Sequence, residues 1–422
     1  MQKQIYPLPE LLAPVGQMDQ LDAAILYGAN AVYLGGSASL RAGRSFDNLN
    51  LARAKTKAAG IQLFFCCNAF PRQRELKTAL ENLELGAKAE VDAYIIADPG
   101  VFSLARKHFP HIPIHLSTQA NTCNVASVAF WQEQGATRLN LARELRLNEI
   151  SAIRKACPDV ELECFVHGAL CLAISGQCLL SAWLNNRPAN SGQCTQPCRF
   201  EYRPVPNKIQ GFEESWRSGS TTWEITQDDE DYSAFWSPED LCLLPYIPWF
   251  IIQKITSLKI EGRMRTGAYT AHVVEAYRRA IDLAHSIVHA KEHNSWHEHL
   301  PTFMHDLEQW TTRNLGTGFF LPKHKKLATK HKRGFGGLSP LLARLEEELQ
   351  AGVWKISVRS QWDAKRDAYV FMPKGQRPAL KSGTYSLENH KGEKVSVVHP
   401  GMEAILYTET QGLVSGAYVE GV

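Results

Sequence analysis

No run of eighteen apolar residues occurs anywhere in the 422-residue chain, so no segment has the length of a membrane-spanning helix. The opening residues Met1-Gln2-Lys3-Gln4-Ile5-Tyr6-Pro7 lack the apolar stretch that directs secretion. Both absences lead to the expectation of a cytoplasmic chain with no membrane partner. Net charge is also nearly missing: at a formal +3, composition alone does not single out a polyanion as partner. Heptads are absent. No His-Glu-x-x-His pair offers a zinc protease site, and no Ser/His/Asp or Cys/His set presents a clear nucleophile. What remains is an ordinary globular composition, 44% hydrophobic and 21% charged, long enough for one large domain and a smaller one.

The chain does contain a regular alternation. Short apolar runs at 10–16, 31–36, 61–68, 93–98, 112–118, 138–142 and 161–166 are separated by helix-like segments at 18–27, 51–59, 74–89, 99–108, 126–134 and 148–157. Strands without in/out alternation, each followed by a periodic helix, indicate a parallel sheet covered on both faces. An eighth run, 257–262, is delayed, and a helix at 268–284 follows it. Eight such units predict an α/β fold, a (β/α)8 TIM-like barrel, with a doubly wound open sheet as the alternative. Residues 1–333 would form the barrel, with an insertion at about 168–256 before its last strand. After about residue 334 short β-type runs at 354–358, 368–372, 383–388, 395–398 and 404–407 predict a small C-terminal β-barrel domain.

Ten cysteines in a chain expected to stay reduced need a reason other than disulfides. Five fall in the insertion. Cys171 and Cys178 are seven apart, and Cys194 and Cys198 four apart, within one glycine-punctuated stretch. Four thiolates so placed suit a tetrahedral metal or a cubane cluster. The seven-residue step is wider than structural zinc pairs use and leans towards iron–sulfur. Cys242, in Pro238-Glu239-Asp240-Leu241-Cys242, is an alternative ligand. Cys66, Cys67, Cys123, Cys157 and Cys164 sit in strands or at helix ends, where packing as small hydrophobes accounts for them.

In such barrels chemistry comes from the C-terminal ends of strands. Those ends supply Asn68, Asp98, Gln119, Glu144, His167, Lys259 and Glu261. Each alone reads as a structural hydrogen bond or ion pair, but together they are more polar groups at one mouth than packing requires. Arg41 and Arg44, after the second strand, are candidates for bidentate binding of a carboxylate. The basic run 323–333, which includes Lys325 and Lys326, would ordinarily be a solvated linker. In a nearly neutral chain it is also the clearest phosphate-attracting stretch.

Two cysteine-bearing segments carry a family resemblance. Glu163-Cys164-Phe165-Val166-His167-Gly168-Ala169-Leu170-Cys171 and Ser175-Gly176-Gln177-Cys178-Leu179-Leu180-Ser181 closely resemble the signature of the bacterial family filed as collagenase-like peptidases. Leu12-Ala13-Pro14-Val15-Gly16, His115-Leu116-Ser117-Thr118-Gln119 and Leu258-Lys259-Ile260-Glu261-Gly262-Arg263 extend it. Within the family, the segment from Asn190 through Cys194 and Cys198 to Tyr202 is most similar to the branch that makes 5-hydroxyuridine at the tRNA wobble position. The resemblance implies an RNA-modifying oxidoreductase that hydroxylates tRNA uridine and depends on prephenate as co-substrate. It implies a 4Fe–4S cluster on Cys171, Cys178, Cys194 and Cys198, with Cys242 matching a ligand position of other branches. Implied partners are tRNA and an electron donor or iron–sulfur assembly machinery. Proteolysis, the older family reading, and hydroxylation of rRNA or a quinone precursor are the alternatives. Residues 203–236 depart from the tRNA branch.

Overall fold

A computed structural model describes residues 5–35, 48–171, 173–175, 177–185, 187, 189, 194–199, 239–291, 295–311, 313–321 and 340–422. Arg41, Arg44, Lys325 and Lys326 lie outside these residues, as does the 333/334 boundary.

Seven strands follow one another around a ring: β1 (Glu10–Pro14), β2 (Ala31–Leu34), β3 (Gln62–Cys67), β4 (Ala93–Ile96), β5 (Ile114–Leu116), β6 (Arg138–Asn140) and β7 (Glu161–Ala169). Each pairs in parallel with the next. The insertion contributes β8 (Asp240–Cys242), and the delayed run forms β9 (Ser257–Ile260). Because β9 pairs in parallel with both β7 and β1, the ring closes at eight strands and the open-sheet alternative is excluded.

Closure buries both faces of every strand, which is why the runs are apolar without alternation. Outward side chains such as Leu11, Val32 and Leu258 enter one core with the surrounding helices, whereas Leu12, Tyr33, Phe64 and Ile95 fill the barrel. The helices are α1 (Met18–Leu26), α2 (Leu49–Ala59), α3 (Leu76–Lys88), α4 (Pro99–His108), α5 (Val125–Glu133) and α6 (Leu147–Ala156). Local chemistry sets their ends. Asp98, at the end of the fourth predicted run, accepts a hydrogen bond from the Val101 amide at 2.9 Å with Pro99 in the first turn, so it is a helix cap.

The insertion also holds α7 (Leu180–Asn185) and α8 (Ile247–Ile252). After β9 comes α9 (Gly267–Ala290), buried without a break from Gly267 to Tyr277, and then α10 (Ser295–Glu308) and β10 (Leu315–Gly316). β8 is not a barrel strand. It runs antiparallel to the tail of β7, with His167 opposite Cys242, and β10 adds to its other edge. No described helix is long and apolar enough to cross a membrane.

The C-terminal region is an antiparallel eight-stranded sheet around Leu345, Trp354, Ile356, Leu387 and Leu406. Four of the predicted runs match single strands, and 395–398 divides into two short ones. β11 (Leu341–Gln350) and the last strand, Tyr418–Gly421, were not foreseen. This sheet docks on the barrel helices: the Tyr27 hydroxyl donates to the Phe371 carbonyl at 2.7 Å, and His272 stacks between Trp310 and Phe371 while meeting Glu420.

Candidate active site at the barrel mouth

The barrel interior is charged from its floor upward. At the floor the buried Arg138 guanidinium donates to Glu10 at 2.6 Å and Glu161 at 2.7 Å, and stands 3.7 Å from Glu163. Burial works against the Arg138 charge, but Glu10 and Glu163 outweigh it and hold the proton more firmly than in water. Above this layer the Lys259 ammonium donates to Glu163 at 2.7 Å, and the Asn140 amide donates to the same oxygen at 2.8 Å. Lys259 also sits over the Tyr33 ring, 4.4 Å from its centroid, with Phe165 at 5.4 Å. His115, T-stacked on Phe64, is kept neutral by burial and by the Arg138 and Lys259 charges.

A cavity of about 220 Å³ opens above Lys259. Its barrel wall includes Asn68, Gln119, Lys259 and Glu261, so four of the strand-end candidates meet there. The Asn68 amide donates to the Ser117 hydroxyl at 3.2 Å, while its oxygen has no hydrogen-bond partner among the described residues. The opposite wall is the cysteine loop, which contributes Cys171, Cys194 and Cys198.

The loop stands there because Gly168 permits it. Its φ is +105°, and a Cβ at this position would lie 2.6 Å from the Glu261 carbonyl oxygen. The tail of β7 therefore crosses directly over the end of β9. Two guanidinium groups then fasten the loop. Arg143 donates to the Ala169 carbonyl at 2.8 Å and to the buried Ser175 hydroxyl at 2.9 and 2.6 Å, bracketing Cys171. Arg199, next to Cys198, donates to the Leu170 carbonyl at 3.0 Å. Both line the cavity together with Arg263. These three arginines were not among the predicted site residues. Arg143 and Arg263 lie three residues past β6 and β9, Arg143 directly before the candidate Glu144 and Arg263 two residues after the candidate Glu261.

Burial pushes the Cys198 thiol up, Arg199 pulls it down, and Cys171, Cys194 and Cys178 push it up further, so the other three loop thiols are within electrostatic reach of Cys198. Among the described residues no three His, Cys, Asp or Glu side chains are close enough to hold a single metal ion. A cubane spreads its thiolates over separate corners and asks for a wider set than a tetrahedral ion does. Four thiolates in one loop are the donor type a cluster takes.

Two sequence expectations are corrected by position. His167 does not face the mouth. A β-bulge between Phe165 and His167 breaks the alternation of β7, and the imidazole turns outward, with its Nδ1 3.4 Å from the Tyr277 hydroxyl and its ring 5.4 Å from that ring. Burial pushes it down to about 4, so it is neutral. Cys242 is likewise turned away from the loop: its buried thiol lies 3.8 Å from the Tyr277 hydroxyl and 4.0 Å from the Met304 sulfur. Burial pushes that thiol up to about 11. The remaining cysteines behave as packing residues: Cys67, Cys157 and Cys164 belong to the main core and Cys123 packs against it, while Cys66 fills the barrel and touches the cavity floor.

The peptidase family U32 model matches residues 16–330. The tRNA hydroxylation protein P of Escherichia coli is 38% identical over 309 residues, 65% of this chain and 68% of that protein. The tRNA hydroxylation protein P1 of Bacillus subtilis is 34% identical over 322 residues, 74% of this chain and 71% of that one. A 23S rRNA 5-hydroxycytidine synthase of E. coli is 32% identical over 278 residues, 65% of this chain and 39% of that one. With a match running from the end of β1 through the cysteine loop to β10, the chain belongs to peptidase family U32.

Proposed function

We propose that the chain is an RNA-modifying oxidoreductase that hydroxylates tRNA uridine, at C5 of the wobble base, in the cavity at the barrel mouth. The observation that carries this reading is the meeting of Asn68, Gln119, Lys259 and Glu261 with the cysteine loop across one small cavity. Two relatives named for tRNA hydroxylation, similar over most of this chain, support the substrate. Cys171, Cys178, Cys194 and Cys198 would hold a 4Fe–4S cluster, which supplies electron transfer beside the bound base. An assembly machinery and an electron donor follow as partners.

The chain's own residues have separate tasks. The amides of Asn68 and Gln119 suit hydrogen bonding to the edge of a pyrimidine. Glu261, partly exposed at the cavity wall, is placed to accept a proton. Lys259, Arg143 and Arg263 make the wall cationic, which suits the two carboxylates of prephenate as co-substrate. Tyr33 and Phe165 exclude water from around the lysine. A hydrolytic reading needs a base next to a nucleophile, and the nearest histidine in sequence to the loop, His167, is turned away from the cavity.

Nucleoside mass spectrometry of tRNA from a deletion strain tests the reading. Loss of 5-hydroxyuridine, restored by this chain and dependent on prephenate supply, is the expected result. Unchanged 5-hydroxyuridine in the deletion strain overturns it.

A further inference from the structure

α7 and the loop before it expose apolar side chains beside the cavity. Trp183 is 87% exposed and Leu179 78%, with Leu184 and Ile174 also open to solvent. A tryptophan this exposed gains nothing for folding, and exposed large apolar side chains gathered in one short segment mark a candidate interaction site. The patch is fixed to the cavity wall. The Asn185 amide donates to the Thr195 hydroxyl at 2.7 Å, and the Thr195 amide donates to the Ser181 hydroxyl at 3.0 Å. Thr195 lies between Cys194 and Gln196, both of which line the cavity. Trp183 thus sits on one helical turn held from both ends to the lip.

The charge around the patch selects its partner. Arg143 gives its described hydrogen bonds to uncharged groups, Ser175 and the Ala169 carbonyl. Arg263 shares the wall, and Arg187 is exposed just beyond α7. An aromatic face at the lip of a cationic cavity is the arrangement that binds unpaired nucleic acid, where bases stack and phosphates meet cations. A base that enters a closed cavity must first leave its neighbours, and the neighbour it leaves then needs a new stacking partner.

We propose that Trp183 stacks on an unpaired base of the substrate RNA next to the one that enters the cavity. This rests on the reading of the chain as an RNA-modifying enzyme and adds a binding residue to it.

The test measures binding of an unmodified tRNA transcript at fixed salt to the parent chain and to Trp183→Ala, Trp183→Leu and Trp183→Phe. Trp183→Ala and Trp183→Leu are expected to weaken binding on the order of ten- to a hundredfold, the usual loss of one stacked base, while Trp183→Phe stays within about threefold of the parent. The slope of log affinity against log salt stays as in the parent, because no phosphate contact is lost. If the parent binds tRNA and Trp183→Ala binds it equally well, the stacking role is wrong. If Trp183→Leu matches the parent, the patch is an apolar docking surface for another partner and the proposal falls. A parent chain that binds no tRNA instead refutes the RNA-modifying reading beneath it.

Discussion

The floor and the mouth of the barrel hold charge in opposite ways. At the floor, Arg138 is matched by Glu10, Glu161 and Glu163, and Glu163 by Lys259, so each buried charge meets its opposite within the barrel. At the mouth, Arg143 meets a hydroxyl and a carbonyl, and Arg263 meets the face of Tyr33 at 6.0 Å. A charge compensated on every side is part of the scaffold. Cations whose described contacts are a hydroxyl, a carbonyl and a ring, on a cavity wall where Glu261 is the one carboxylate among the described lining residues, keep a net field for something that enters. Lys259 belongs to both layers, neutralised from below by Glu163 and open to the cavity above.

The floor is where one substitution costs the fold most. Arg138→Met leaves Glu10 and Glu163 buried without a counter-charge and is expected to cost about 3–5 kcal/mol of stability, read from urea midpoints. Adding Glu10→Gln should recover part of that loss. If Arg138→Met is as stable as the parent, the floor is not a mutually dependent ionic layer.

Acid tests the packing just behind the mouth. Folded His167 stays neutral down to about pH 4, mainly through burial, whereas an unfolded histidine takes a proton near pH 6.5. Below about 6.5 the unfolded chain therefore binds more protons, and stability falls as pH falls, by about 3 kcal/mol by pH 4. Stability–pH curves for the parent and His167→Gln should differ in slope over that interval and run parallel above it. Parallel curves throughout would return His167 to an exposed, ordinary environment.

The smallest effect on the fold belongs to Arg143. Arg143→Lys keeps the charge but loses the fork that grips Ala169 and Ser175, at a cost of about 1.5–3 kcal/mol confined to the loop. Global unfolding should change little, while Cys171 becomes faster to alkylate in the metal-free chain. An unchanged alkylation rate would mean that the loop is held by other contacts.

The sequence shows some of these features and hides others for physical reasons. Barrel strands and their order are legible because burial on both faces writes an apolar run every time. β11 is not: Leu341–Gln350 reads Leu-Leu-Ala-Arg-Leu-Glu-Glu-Glu-Leu-Gln, a helix-type composition held as a strand by pairing with Val353–Val358 and Tyr418–Gly421. Here tertiary pairing overrides local propensity. Asn68, Gln119, Lys259 and Glu261 were found because strand ends converge in any closed barrel. His167 was misplaced because one bulge residue reverses a strand's faces and leaves no mark in composition. Arg199 and Trp183 escape the sequence because loop closure, not strand position, brings them to the mouth, and Arg143, past the end of β6, because its neighbour Glu144 carried the strand-end reading.

On the reading proposed above, the mouth performs tRNA hydroxylation and the surrounding core only supports it. The most direct measurement is 5-hydroxyuridine in the tRNA of a deletion strain complemented with the parent chain, with Glu261→Gln or with Cys242→Ser. The parent and Cys242→Ser are expected to restore the nucleoside, and Glu261→Gln, folded and equally abundant, is not. Full restoration by Glu261→Gln, or none by the parent, would contradict that reading.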